Sequence, residues 1–237
     1  MFFDPTYFVI VGPAILLALW AQFRVRSAFS AAAEIGNRRQ LSGAQAARAI
    51  LDANGLSHVE VEPSQGGSLS DHYDPRSEVV RLSPEVFEGR SLAAVGIAAH
   101  ECGHAIQKQQ RYAALAMRNG LVPLAATGGK LSGLLIMLGF VLMYAARPLG
   151  MIALVAGLGL FAVIVVFQLV NLPVEFDASR RARVVLAEGG IVSAEEMEPV
   201  SRVLNAAALT YVAATVTAIL QLIYFLYRAG LLGNRRN

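Results

Sequence analysis

Four long apolar runs constrain this chain more than any other feature. Each is near the ~20 residues that an α-helix needs to cross a bilayer. They extend from about Pro5 to Phe23, Leu131 to Ala146, Leu149 to Val170 and Ala206 to Tyr227, the second being a little short. A chain that is 55% hydrophobic, with a mean hydropathy of +0.51, belongs to the membrane class. The first run has no basic stretch ahead of it and no A-x-A-like cleavage site, and Arg24 and Arg26 follow it, so it reads as an uncleaved anchor. Only Arg147-Pro148 separates the second and third runs, which predicts a tight transmembrane hairpin.

Basic residues give the orientation. Arg24, Arg26, Arg38, Arg39 and Arg48 follow the first run; Lys108, Arg111, Arg118 and Lys130 precede the second; Arg180, Arg181 and Arg183 follow the third. Positive residues favour the cytoplasmic side, so these loops are expected inside and the N-terminus outside. Arg228, Arg235 and Arg236 would then fall outside, against the rule. Either the last helix does not fully cross or its charges are outvoted. The net charge of +3 lies beside apolar segments, so it reads as membrane topology and not as a nucleic-acid surface. Cys102 is the one cysteine, which rules out an intramolecular disulfide.

The polar segment from Arg24 to Arg118 holds the chemistry. Ser42-Gly43-Ala44-Gln45 has the form of a capping box opening a helix that stops at Asn54-Gly55. Val59–Glu62, Ser68–Tyr73 and Glu78–Leu82 read as three short strands, expected to form an antiparallel sheet. Ser83-Pro84 caps a short turn, and Ser91 is an N-cap for the apolar helix that follows. That helix contains His100-Glu101-Cys102-Gly103-His104, the HExxH pattern of zinc hydrolases. Residues four apart on a helix lie about 40° apart around its axis, so both imidazoles point to one side. Two histidines and a glutamate inside an otherwise buried helix need partners. The bland alternative is a pair of core histidines bonded to carbonyls, with Glu101 paired to an arginine. Cys102 sits about 200° from His100 and is expected to be a small core residue.

A hydrolytic zinc site usually has three protein ligands and one open position. His58 opens a strand and reads as a surface residue. Glu175 is the better third ligand: with Ala178, Ser179 and Ala182 it shares one helical face that is otherwise small. Gly96, His100, Gly103 and His104 form a similarly small face, so the two helices could approach closely. Pro173 is expected to be the first residue of the Glu175 helix. Two spans lie between His104 and Glu175, and an even number of crossings returns the chain to the side it left. The alternative is a Glu175 paired with Arg180 or Arg181. Asp177 points away from Glu175 and is expected behind the ligands or at the surface. With His100, His104 and Glu175 holding Zn²⁺, Glu101 would act as the base for an activated water. His72 and Tyr73 are candidates for a second donor to the substrate carbonyl. They alternate along a strand, so at most one should face the metal, and ordinary strand surface is the other reading.

Three segments, Leu69–Pro75, Ala98–Gln107 and Asn171–Ser179, resemble the bacterial membrane-bound neutral zinc metallopeptidases, the YugP-like "peptidase type 2" group. The resemblance covers nearly the whole chain and implies a zinc peptidase without implying a particular substrate. More distantly the layout is similar to the HtpX-type and CAAX prenyl proteases. Those carry Glu-x-x-x-Asp at the second motif, where this chain has Ser179 four residues after Glu175. The partner supplied by that aspartate is therefore missing, and Asp177 or Asp71 is a candidate replacement.

The expected fold is a mainly α membrane protein with about four transmembrane helices and a small α+β zinc-peptidase domain. Its expected divisions are an anchor (1–23), a peptidase domain (24–130), a transmembrane hairpin (131–170), a helix carrying the third ligand (171–190) and a connector with the last span (191–237). The expected activity is that of a zinc endopeptidase in the bacterial inner membrane, with its site facing the cytoplasm and acting on membrane or membrane-proximal polypeptides. Its expected partners are a polypeptide substrate and the lipid bilayer, with no nucleic acid. Two other classes compete: a zinc-stabilised membrane protein without peptidase activity, and an adaptor that binds partners through its polar domain. Glu101 argues against both, because a purely structural site needs no base.

Overall fold

The computed structural model describes residues 4–67 and 70–232. In chain order the elements are α1 (Pro5–Ala33), α2 (Gly43–Ala53), β1 (Glu60–Pro63), β2 (His72–Asp74), β3 (Val79–Leu82), α3 (Pro84–Phe87), α4 (Leu92–Gln109), α5 (Ala113–Ala145), α6 (Arg147–Glu188) and α7 (Met197–Arg228). They form two compact units, one of Met1–Trp20, Met117–Leu172 and Tyr211–Asn237, the other of Ala21–Ala116 and Pro173–Thr210. The protein is mainly helical, and α1, α5, α6 and α7 are each long and apolar enough to cross a membrane.

In the first unit, α5 and α6 are joined through Ala146 alone, as a tight hairpin requires. Glycines set how closely these helices approach. A Cβ on Gly157 would lie 2.9 Å from the Ile136 amide nitrogen, and one on Gly139 would lie 2.8 Å from that of Leu154. Small residues at a membrane helix interface replace the hydrophobic drive that lipid cannot provide. Ile136, Leu154 and Leu158 are buried at this interface. Val9, Leu16, Leu134 and Ile152 point outward and exposed, a surface suited to acyl chains. Helices α1 and α7 run antiparallel: the Thr217 hydroxyl lies 3.5 Å from the Ala14 carbonyl, and Tyr224 donates to Asp4 Oδ2 at 2.9 Å. Asp4 also pairs with Arg228 at 3.2 Å, so one arginine that conflicts with the charge rule has an anionic partner. Arg235 and Arg236 lie outside the described residues.

The second unit builds the small domain around α4. The capping box of α2 forms in both directions between Ser42 and Gln45, and Gly55 takes the left-handed φ of +71° that ends the helix. Ser91 caps α4 by accepting from the Ala94 amide, and Pro84 opens α3. Two expectations need correction. The sheet is mixed, not wholly antiparallel: its order is β1-β3-β2, with β1 parallel and β2 antiparallel to β3. The stretch between β1 and β2 is long enough to carry β2 past the neighbouring position. The tight turn into β3, through Glu78 at φ +57°, then returns the chain between the two strands. Ser68 and Leu69, expected to open the second strand, lie outside the described residues. The second correction concerns Pro173, which lies inside α6 and does not start a new helix. No glycine separates the third apolar run from it, and losing one backbone bond at ~3 kcal/mol does not break a helix of 42 residues.

Candidate metal centre

Helix α4 is apolar around most of its circumference, and Leu92, Val95, Ala98, Ala99, Cys102 and Ile106 enter the core against α2 and the sheet. The remaining face carries His100, Gly103, His104 and Gln107, spaced at one helical turn. Gly103 lets α6 close on this face, because a Cβ there would lie 2.7 Å from the Ala178 carbonyl oxygen. Glu175, Ala178, Ser179 and Ala182 line the opposing face of α6, and all four are buried.

The two helices bring together one imidazole nitrogen from His100, one from His104 and one oxygen of Glu175, all within 4.8 Å of one another. His100 Nε2 lies 3.3 Å and His104 Nε2 3.7 Å from the same Glu175 oxygen. Two ligands held ~2.0–2.1 Å from one tetrahedral zinc are about 3.3 Å apart, so the two distances to the Glu175 oxygen lie near that spacing, and the donor types are ones zinc prefers. The imidazole planes are nearly perpendicular, at 85°. Arg180 and Arg181, the alternative partners considered for Glu175, both pair with Asp177.

Behind the cluster, each histidine's other nitrogen is engaged. His100 Nδ1 meets the Oγ of Ser179, four residues after Glu175, at 3.2 Å. His104 Nδ1 meets Gln107 Oε1 at 3.0 Å. Gln107 Nε2 in turn donates to the Val174 carbonyl at 2.8 Å and to Asp177 Oδ2 at 3.0 Å. Asp177, expected behind the cluster or at the surface, thus touches Gln107, itself bonded to His104. Asp71 serves elsewhere, accepting from the Ser83 amide and hydroxyl. Gln107 escaped the sequence reading. Its signal was present: a polar residue three positions after His104, on the histidine-bearing face of an otherwise apolar helix.

Glu101 is buried next to this cluster, and one of its oxygens accepts from the Tyr73 backbone amide at 2.9 Å. Burial pushes its pKa up to about 7; His100 pulls it down, while Glu175 and Asp71 push in the same direction as burial. For His100, burial favours the neutral ring, but the contact with Glu175 and the charges of Glu101 and Glu175 raise its pKa on balance. Strand β2 therefore reaches the site through its backbone. The Tyr73 ring joins the core, and burial pushes the phenol up to about 12. His72 is exposed, with Nδ1 2.8 Å from the Ser70 carbonyl. His58 is a surface residue near Glu78, and Cys102 is buried with its thiol toward the Ala47 carbonyl.

A helical protein with, among the described residues, four helices long and apolar enough to cross a membrane, and a largely buried His–His–Glu cluster that could hold a metal ion, has the makings of a membrane metalloprotein. The chain belongs to the family described as "Putative neutral zinc metallopeptidase", which it matches over residues 7–230. It is 43% identical over 212 residues, 90% of this chain and 91% of the relative, to "Putative membrane protease YugP" of Bacillus subtilis (strain 168). No solved structure matches the chain.

Proposed function

We propose that this protein is a membrane-bound zinc endopeptidase in which His100, His104 and Glu175 hold the ion and Glu101 is the general base. The observation that carries this reading is the convergence of three ligand atoms within 4.8 Å beside a fourth, buried acidic group that is not one of them. Bound zinc supplies a Lewis acid that polarises a carbonyl and makes a water acidic near neutral pH. Glu101 takes a proton on a carboxylate oxygen and returns it to the leaving amide nitrogen. The Tyr73 amide holds one Glu101 oxygen, fixing the carboxylate's direction and leaving the other oxygen for this transfer. Strand β2 is an edge of the sheet, and an extended polypeptide would meet it through backbone groups other than the Tyr73 amide, which Glu101 already holds. His72, exposed on that strand, is the candidate for a second donor to the substrate carbonyl.

The arginines and lysines that border the spans support an inner-membrane protein with its site on the cytoplasmic side. In sequence, Glu175 follows the end of the third apolar run by only five residues, which favours membrane or membrane-proximal polypeptides as substrates. The test is incubation of purified protein, with and without a chelator, with a mixed pool of membrane and soluble polypeptides. Chelator-sensitive cleavage that is lost in Glu101→Gln is expected. Cleavage indifferent to both the chelator and the substitution would overturn the proposal.

A further inference from the structure

The amide of Gln107 has only one orientation compatible with its neighbours. The Val174 carbonyl and the Asp177 carboxylate can only accept, and both lie on the same nitrogen of the side chain. Both amide hydrogens are therefore committed to α6. The remaining atom, Oε1, faces His104 and can only accept, so His104 Nδ1 must carry the hydrogen. The lone pair of His104 is then on Nε2, the nitrogen turned toward Glu175. His100 has no equivalent constraint, because the Ser179 hydroxyl can donate or accept.

We propose that Gln107 is a positioning residue for metal binding: it fixes the tautomer and ring direction of His104 and does so only when α6 is docked. Asp177, itself clamped by Arg180 and Arg181, holds the amide in place. The ligand-bearing helix thus acquires a competent His104 from the same element that delivers Glu175. This inference rests on reading the cluster as a metal site. It assigns no proton transfer to Gln107, which does not reach the ligand atoms.

The experiment is a zinc titration of the full-length protein in detergent against a competing chelator, with metal-free melting temperature as a parallel readout. His104→Ala and the unaltered protein bracket the range. Gln107→Met, which keeps volume and removes the acceptor, is expected to weaken zinc binding by ~10–100-fold, the usual effect of losing a residue that orients a ligand. Gln107→Glu restores the acceptor for His104 but sets a carboxylate oxygen against both the Val174 carbonyl and the Asp177 carboxylate. Adding Asp177→Asn to it returns a donor to the second of these contacts, and zinc affinity is expected to rise above that of Gln107→Glu. A general packing role for Gln107 would give no such recovery. Unchanged affinity in Gln107→Met, or a double variant no better than Gln107→Glu, overturns the inference while leaving the metal site standing. Absence of binding in the unaltered protein overturns the site and the inference together.

Discussion

The two units of this protein solve the problem of holding helices together in opposite ways. In the apolar unit, contacts are made by absence: Gly139 and Gly157 omit side chains so that α5 and α6 can touch. Polar groups there are few and bond mostly along their own helix, as Thr217 does to the Ala213 carbonyl. In the unit that holds the histidine cluster, Gly103 plays the same spatial part, but around it His100, His104, Gln107, Asp177 and Ser179 are buried or half-buried and mutually bonded. A buried polar network rigidifies only when every member is satisfied. The comparison teaches that apolar packing sets distance, while the polar network sets the direction in which the imidazoles and the Glu175 carboxylate point.

Substitutions should separate these roles. The largest effect is expected from Glu101→Gln, which should lower peptide cleavage by ~10²–10⁴-fold while zinc content, measured by metal analysis, stays at the starting level. Glu175→Ala should lower zinc content sharply; unchanged metal would point to a different third ligand. Gly103→Val should force α4 from the Ala178 carbonyl and cost about 1–3 kcal/mol of stability, with loss of zinc binding in the same variant. Gly157→Val should cost a similar amount of thermal stability in detergent yet leave zinc affinity unchanged, since it disturbs distance in the other unit. If it abolished metal binding, the division of labour would fail.

The smallest expected effect is acid sensitivity at the edge strand. Bonds from Ser77 and Arg76, with Arg81 adding to them, hold the Asp74 carboxyl down at about 2, below its ordinary value near 3.8. A lowered acid stabilises the folded state above its unfolded pKa, and that contribution is lost as pH falls from about 4 toward 2. Asp74→Asn should flatten the melting temperature across that window, as followed by thermal denaturation at stepped pH.

Much of the site was legible because its rules are local or topological. The i, i+4 histidines, the small faces of α4 and α6 and the parity of two intervening spans needed no coordinates. The capping box at Ser42 and the glycine stop at Gly55 were likewise written in short stretches of sequence. What was not legible depends on long-range choices. The parallel pairing of β1 with β3 is set by where a connection happens to cross. The continuity of α6 through Pro173 is decided by neighbours that make up for one missing backbone bond. Gln107 was passed over because glutamine on a helix is ordinary, and only the approach of Asp177 and Val174 gives its amide a fixed sense.

Cys102 has a practical consequence. Its sulfur is sealed in the core, and burial, with the charge of Glu101, pushes the thiol's ionisation well above the ordinary range. Thiolate is the reactive form, so maleimides and mild oxidants should pass this residue by. The native chain therefore behaves as a blank for cysteine scanning. A single reporter placed in the loop between α6 and α7, or beside Arg147, would be labelled without background, and an impermeant reagent applied to intact cells would read out which face of the lipid each segment occupies.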